Sequence, residues 1–419
     1  MQALAPVRAT ERINLMDALR GFAILGIFIA NLNGFSGYRE EANATGPYLL
    51  PGFDHKMGFL HHMFIEGKFY SIFSLLFGWG IALQFKRAEE RGSNATPVVL
   101  RRLLFMLLLG AVHLLIWSGD IVFFYAVLGF ILLPLRRFSN RTLLVTGAVL
   151  ILSPILLYAA KSHWLWLNEP ASFFYTTGQR LDTRLLGIQS EADYFAMVKT
   201  AGWWEVLKGN VSGFFYRYGY LMFVSRVPKV LGMFLIGYVL GRSGFYKNIE
   251  QHKKTVYIII AAGLLLGLPA NFYLARYMTY YMGDYWNLGI KGLYQTIFYA
   301  LGVVPLALAY VGLFMVSFQT VVGKKLLLVL APVGKMAFSN YIMHSLIGNF
   351  IFLGAGLGYM GQVGPVYYTL LGVLVFVIQV VLSTAWLKYF NYGLVEWLWR
   401  SATYKKWQPM KKRKDEQEG

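Results

Sequence analysis

Residues 17–36 read DALRGFAILGIFIANLNGFS, and this stretch decides the fold class. A helix needs roughly 20 largely apolar residues, at about 1.5 Å each, to cross some 30 Å of hydrocarbon. The run meets that length. It carries Asp17 and Arg20, and no small-residue cleavage site follows it, so it reads as a retained first span rather than a signal peptide.

Nine further segments of the same kind follow, at about 64–85, 98–117, 120–135, 141–160, 228–245, 255–274, 291–317, 333–354 and 364–387. Backbone polar groups in lipid must be paired internally, so spans of this composition are helices. The expectation is an all-α, polytopic transmembrane helix bundle of about ten spans. Residues 1–160 form an N-terminal membrane half of about five spans. Residues 161–227 form an outer-side loop with interfacial aromatic segments, Trp203-Trp204 and Phe214–Tyr220 being candidates. Residues 228–390 form a second half of about five spans. Residues 391–419 form an amphipathic segment and a charged tail, expected to be disordered over 411–418. An additional or re-entrant helix within 161–227 stays open, as do nine or eleven spans.

Composition agrees with hydrocarbon as solvent. Of 419 residues, 57% are hydrophobic and only 14% charged, against about 25% charged in soluble domains. Cysteine is absent, which excludes disulfides, Cys-ligated zinc or iron–sulfur sites and a cysteine nucleophile. The net charge of +19 would point to nucleic acid in a soluble chain. Here the basic residues punctuate apolar blocks. With the N-terminus inside, the inner segments collect 26 of the 39 Lys and Arg, a positive-inside bias that puts both termini in the cytoplasm. No nucleic-acid partner is expected; membrane lipid is. Oligomeric state stays open, with a homodimer among the options.

Ionisable groups inside a span are costly and are functional candidates by default. Asp17 and Arg20 can pair across i,i+3, and Arg20 could hold an anionic group at the inner face. Asn31 lies eleven residues beyond Arg20 on the same face. The stretch 55–68 concentrates His55, His61, His62, Glu66 and Lys68; histidine suits acid–base work near neutral pH, with Glu66 to orient it. The spacing lacks an HExxH pattern, and no metal site is expected. His113 inside one span and Asp120 opening the next form a second pair, if a tight hairpin brings them together; a helix cap by Asp120 is the structural alternative. His344 shares a helix face with Asn340, with Ser345 nearby, and Gln379 and Ser383 are placed to meet that stripe; interhelical hydrogen bonding is as natural a role there as catalysis. Arg101-Arg102 add positive charge at the inner face. Gly237–Gly241 and Gly354–Gly358 are GxxxG spacings, weak signals in a chain with 43 glycines. No GxxxxGK[ST] or GxSxG motif is present.

Four stretches carry a family resemblance. NLMDALRGFAILGI (14–27), GKFYSIFSLLFGWG (67–80), GKMAFSNY (334–341) with His344-Ser345, and YGLVEWLWR (392–400) with Thr403-Tyr404 and Gln408-Pro409 resemble the YeiB-like proteins of the DUF418 family. The family usually has Gly-Pro where Gly393-Leu394 stands, and often Gln in place of His344. The resemblance implies a bacterial inner-membrane protein. It also implies a distant likeness to membrane acyltransferases of the heparan-glucosaminide N-acetyltransferase and sugar O-acyltransferase types. In the first type a histidine after span one is the base, followed by an Asp; His55 and Glu66 stand in the like places. In the second type an Arg is followed eleven residues later by His; here Asn31 follows Arg20, a departure that shifts weight to His55. The implied co-substrate is acyl-CoA, acetyl-CoA among them, with its phosphates near Arg20, Arg101 and Arg102. The acceptor would be a sugar, a lipid or another small hydroxyl or amine compound. Asn31 or His344 would stabilise the oxyanion, and His55→Ala would abolish transfer. A transporter or channel-like protein and a non-enzymatic scaffold are the alternatives.

Overall fold

The computed structural model describes residues 13–38 and 46–412. The helices in chain order are α1 Asn14–Ser36, α2 Pro51–Phe64, α3 Lys68–Glu90, α4 Thr96–Ile116, α5 Val122–Leu135, α6 Asn140–His163, α7 Glu169–Leu186, α8 Glu191–Thr200 and α9 Trp203–Phe223. They continue with α10 Arg226–Ser243, α11 Lys253–Tyr280, α12 Met282–Trp286, α13 Ile290–Ser317, α14 Val321–Leu328, α15 Ala331–Lys335, α16 Ala337–Phe352, α17 Pro365–Tyr389 and α18 Leu394–Tyr404. Among the described residues there is no β-strand, only isolated bridges such as Tyr48 with Val363.

The fold is all-α, but ten spans is a miscount. Among the described residues, six helices are long and apolar enough to cross a membrane: α1, α4, α6, α11, α13 and α17. A seventh span is available if α9 and α10, bent by 74°, act as one. The surplus has physical causes. Helix α5 has 14 residues, roughly 21 Å at 1.5 Å per residue. The segment 333–354 is broken at Met336 into α15 and the 16-residue α16. Helix α10 is only one arm of the bent pair. Helix α3 is long enough, but Lys68 opens it and Lys86, Arg87, Glu89 and Glu90 close it. Its apolar residues Ile72, Leu75, Leu76 and Trp79 are sealed in the protein core, whereas α17 turns Leu370, Leu374, Val381 and Leu382 outward. An apolar run cannot by itself distinguish a helix solvated by lipid from one solvated by neighbouring helices. The strict alternation of loops on which the cytoplasmic placement of both termini rested goes with the ten-span count.

The segment 161–227 holds α7, α8 and α9, and Phe214–Tyr220 lies within α9, an additional helix of the kind the sequence left open there. The Tyr216 hydroxyl donates to Asp182 Oδ2 across 2.8 Å to tie α9 to α7. The tail run expected over 411–418 lies outside the described residues from 413 on, as do Arg8, Arg12, Arg413 and Lys414.

Two glycines set the approaches that shape the site. A Cβ on Gly237 would overlap the Leu75 carbonyl, so α10 and α3 cross backbone to backbone. A Cβ on Gly334 would overlap the Asp17 carbonyl, so α15 is pinned to the start of α1. Glu396 of α18 then receives the N–H groups of Phe338 and Ser339 at 2.6 and 3.1 Å and the Ser339 hydroxyl at 2.5 Å. A carboxylate from α18 thus caps the first turn of α16, a favourable site for negative charge. Burial pushes this carboxyl above the usual carboxylate range, against the pull of those bonds. The start of α1, α15, the start of α16 and α18 therefore share one end of the bundle.

Candidate active site

A cavity of about 280 Å³ opens at that end, between α1, α3, α4, α5, α16 and α18. Its mouth is cationic: Arg20, Arg87, Arg102, Lys335 and Arg400 line it, with Asp17 and Glu396 as the carboxylates among the described lining residues. Arg20 Nη1 meets Asp17 Oδ1 at 3.1 Å, one turn apart on α1. The Arg102 guanidinium lies over the Trp399 ring at 4.3 Å, and the Trp399 indole N–H returns to the Arg102 carbonyl at 3.0 Å. Arg101 does not line the cavity; its Nε donates to the Thr403 carbonyl at 2.9 Å and so fastens α18 over the mouth. Deeper in, the lining is apolar: Ile24, Ile27, Phe73, Phe77, Met106, Ile121 and Val122, with Tyr341. A basic rim over an apolar shaft suits an amphiphile with an anionic head.

The shaft ends against a buried polar relay. His113 Nδ1 is 2.7 Å from Asp120 Oδ1, and His113 Nε2 is 2.9 Å from Ser345 Oγ. His113 and Asp120 are 1% exposed and Ser345 0%, so no water competes for these bonds. Tyr341, one turn before Ser345 on α16, stands between cavity and relay. Its ring lies 5.1 Å from His113, and its hydroxyl accepts the Ile121 N–H at 3.2 Å.

Local structure holds the relay in register. Asp120 Oδ2 also takes the Phe123 N–H at 2.7 Å, capping α5. The Asn210 amide donates to the Leu115 and Ile116 carbonyls, each at 2.9 Å, and its oxygen accepts the Ser118 N–H at 3.0 Å. Asn349 adds a bond to the Ile116 carbonyl at 2.7 Å. The frayed end of α4 and its hairpin are thus fixed by side chains from α9 and α16. In the tautomer that carries its proton on Nδ1, His113 donates to Asp120, which leaves Nε2 to accept from the Ser345 hydroxyl. The order carboxylate, imidazole, hydroxyl is that of a nucleophile–base–orienter set.

Comparison with known proteins agrees with the resemblance seen in the sequence. The uncharacterized protein YxaH of Bacillus subtilis (strain 168) is 31% identical over 430 residues, covering 99% of both chains. The chain belongs to the DUF418/YeiB-like family. The profile described as protein of unknown function (DUF418) matches residues 240–406. The uncharacterized protein YeiB of Escherichia coli (strain K12) is 28% identical, over 94% of this chain and 96% of its own. An uncharacterized 39.9 kDa protein in the amylase 3' region of Bacillus acidopullulyticus is 27% identical, over 98% and 99%. No solved structure matches. This DUF418 chain is a multi-pass membrane protein, consistent with residence in the bacterial inner membrane.

The other candidates of the DUF418 chain lie apart from the relay. His55, on α2 at the opposite end of the bundle, has Nε2 3.0 Å from the Tyr280 hydroxyl of α11. Glu66 does not meet it: Glu66 Oε2 is 2.6 Å from His62 Nδ1. Burial would raise the Glu66 pKa, but the His62 bond and the charges of His62, Arg226 and Lys68 bring it below the usual carboxylate value. Lys68 is buried with its ammonium on the His62 carbonyl at 2.6 Å. His61 bonds Thr369 Oγ1 at 2.8 Å and Tyr368 Oη at 3.3 Å. Burial first and the neighbouring His62 second lower its pKa to about 4, against Glu66. Asn31 is half-buried about three turns along α1 from Arg20. His344 Nε2 is 2.7 Å from Gln379 Oε1, its ring stacks on Phe28 at 3.8 Å, and Asn340 reaches Ser383 at 3.1 Å. These bonds join α16 to α17 away from the cavity. Sequence reasoning had the pair His113 and Asp120 but took Ser345 only as a neighbour of His344. Arg87, Lys335 and Arg400 belong in the sequence to the inner-segment charges that set orientation, and the structure brings them to the cavity mouth.

Proposed function

We propose that the protein is a membrane acyltransferase whose donor, an acyl thioester of the acyl-CoA class, occupies the α1–α18 cavity. The observation that carries this reading is the junction of a cation-rimmed apolar cavity with the Asp120–His113–Ser345 relay. The phosphates sit among Arg20, Arg87, Arg102, Lys335 and Arg400, and the acyl end lies against Ile121 and Tyr341. Swinging of the Tyr341 ring opens the floor to Ser345.

Ser345 Oγ then attacks the thioester carbonyl as His113 Nε2 takes its proton. The carbon–sulfur bond breaks, and His113 returns the proton to the leaving thiolate. An acceptor hydroxyl or amine gives its proton to His113 and attacks the acyl-serine, and Ser345 recovers its hydroxyl proton from the imidazolium. Asp120 holds the imidazole in the tautomer that both half-reactions need.

The test is acyl transfer by purified protein in liposomes, with intact-protein mass measured after donor alone. An added acyl mass on the peptide holding Ser345 is expected, absent in Ser345→Ala and His113→Ala variants that still unfold cooperatively. Transfer by Ser345→Ala at the wild-type rate would overturn the assignment.

A further inference from the structure

A second cavity, of about 90 Å³, lies where α9 breaks into α10, between Glu66, Tyr220, Arg226, Lys229, Tyr285, Gln295 and Tyr299. That volume is several times what a single water requires. At the break Ser225 adopts φ 51°. The Lys161 ammonium sits on the exposed carbonyls of Met222 and Phe223 at 2.7 and 2.9 Å, so the end of α9 is satisfied. The start of α10 is not: its first turn has no side-chain cap.

The cations at this point share one nearby carboxylate, Glu66, which is itself bonded to His62. Arg226 binds the hydroxyls of Tyr299 and Tyr220 at 2.9 and 3.2 Å, and no carboxylate among the described residues is within ion-pair distance of it. Lys229, one turn on, is 6% exposed. Its ammonium has no hydrogen-bond partner among the described residues and rests on the Tyr299 ring at 4.0 Å. Gln295, 5% exposed, likewise presents an amide whose oxygen is unpartnered. The nearby Glu66 is engaged by His62. A buried ammonium with no hydrogen-bond partner is expensive, which is why such groups mark ligand sites, and a broken helix presents its uncapped N-terminus to anions.

We propose that this cavity binds a phosphate group, held by Lys229 and Arg226 at the start of α10, with the Gln295 oxygen left to accept from a hydroxyl on that group or its carrier and with Tyr220, Tyr285 and Trp286 as walls for the moiety that carries it. The site is distinct from the relay and does not depend on the acyl-transfer reading. The phosphate has two possible sources, the headgroup of an anionic lipid or a free phosphate in solution.

The test uses the full chain in phosphatidylcholine nanodiscs, with phosphatidylglycerol doped into the bilayer in one arm and inorganic phosphate titrated in the other. Native mass spectrometry reads retention, and thermal unfolding reads stabilisation. Wild type should retain one of the two and unfold at higher temperature with it. Lys229→Met should lose at least tenfold in retention. Without ligand it should unfold no lower than wild type, because it sheds an unpaired buried charge. The same loss is expected of Gln295→Leu, and retention unchanged in Ser345→Ala. Equal retention by wild type and Lys229→Met, failure of wild type to retain either probe, or a ligand-free Lys229→Met that unfolds well below wild type would overturn the proposal.

Discussion

Asp120→Asn is the sharpest perturbation of the relay, because it keeps volume and removes only charge. The carboxylate accepts two bonds, from His113 Nδ1 and from the Phe123 N–H, each at 2.7 Å. The backbone donor cannot change character, so the new side-chain oxygen turns to Phe123 and its NH₂ faces Nδ1. The imidazole must then carry its proton on Nε2, which donates to Ser345 instead of accepting from it. In a hydroxyl–imidazole–carboxylate set the wrong tautomer lowers kcat by about 10⁴, close to 5 kcal/mol of barrier. The folding cost is smaller. One charge-assisted bond becomes a neutral one and the helix cap survives, about 1–2 kcal/mol. Transfer rates in liposomes and thermal unfolding of the same preparation separate the two numbers. A rate within about tenfold of wild type, alongside the modest stability loss, would refute a base role for His113.

Arg102→Gln should raise KM for the acyl thioester roughly 10- to 100-fold with kcat nearly unchanged, the worth of one charged hydrogen bond to phosphate; initial rates over a donor series read this directly. His55→Ala, which the family resemblance marked as fatal, is expected to leave transfer within about twofold, since His55 meets only Tyr280 among its described hydrogen-bond partners and lies at the far end of the bundle. The His61 pKa is lowered to about 4 from 6.5, so the unfolded chain binds a proton in that window that the folded protein excludes. Its contribution to stability is full above about pH 6.5 and falls away as pH drops toward 4, by up to about 3 kcal/mol; His61→Gln should flatten that part of a Tm-against-pH curve. Gly237→Ala should cost at least the upper end of about 1–3 kcal/mol, because the new methyl meets the Leu75 backbone rather than a yielding side chain. An unchanged Tm would show that α3 and α10 do not cross as described.

What was legible in the sequence was local. Long apolar runs marked α4, α6, α13 and α17 within a few residues and α11 to within six, and the stripe Asn340–His344 found its partners Ser383 and Gln379 on the next helix. The errors came where the surroundings decide. Helix α3 reads like a span because Leu75 and Trp79 look alike whether they face lipid or Gly237 and Gly241 of α10. Positive residues carry a topology signal strong enough to hide a second use: Arg87 lies far along the chain from Lys335 and Arg400, and the three meet only at the cavity mouth. Ser345 was obscured by its neighbour. Successive residues on a helix point about 100° apart, so His344 turns to Gln379 while Ser345 turns to His113.

That divergence separates structural polar groups from reactive ones in this bundle. Asn210 spends its amide on the Leu115, Ile116 and Ser118 backbone, and Lys161 spends its charge on the carbonyls of a broken helix. Each satisfies backbone groups that the chain leaves open, and neither meets a second side chain that could take up a proton from it. The Asp120–His113–Ser345 line differs in kind. It satisfies no backbone group beyond the Phe123 cap, yet it aligns three groups that trade protons, from three different chain segments, in a place dry enough for each bond to count fully. Interhelical hydrogen bonds in membranes average only about 0.6 kcal/mol, so stability alone gives a weak reason to assemble such a chain there. Proton transfer at the end of a cation-rimmed shaft supplies a stronger one.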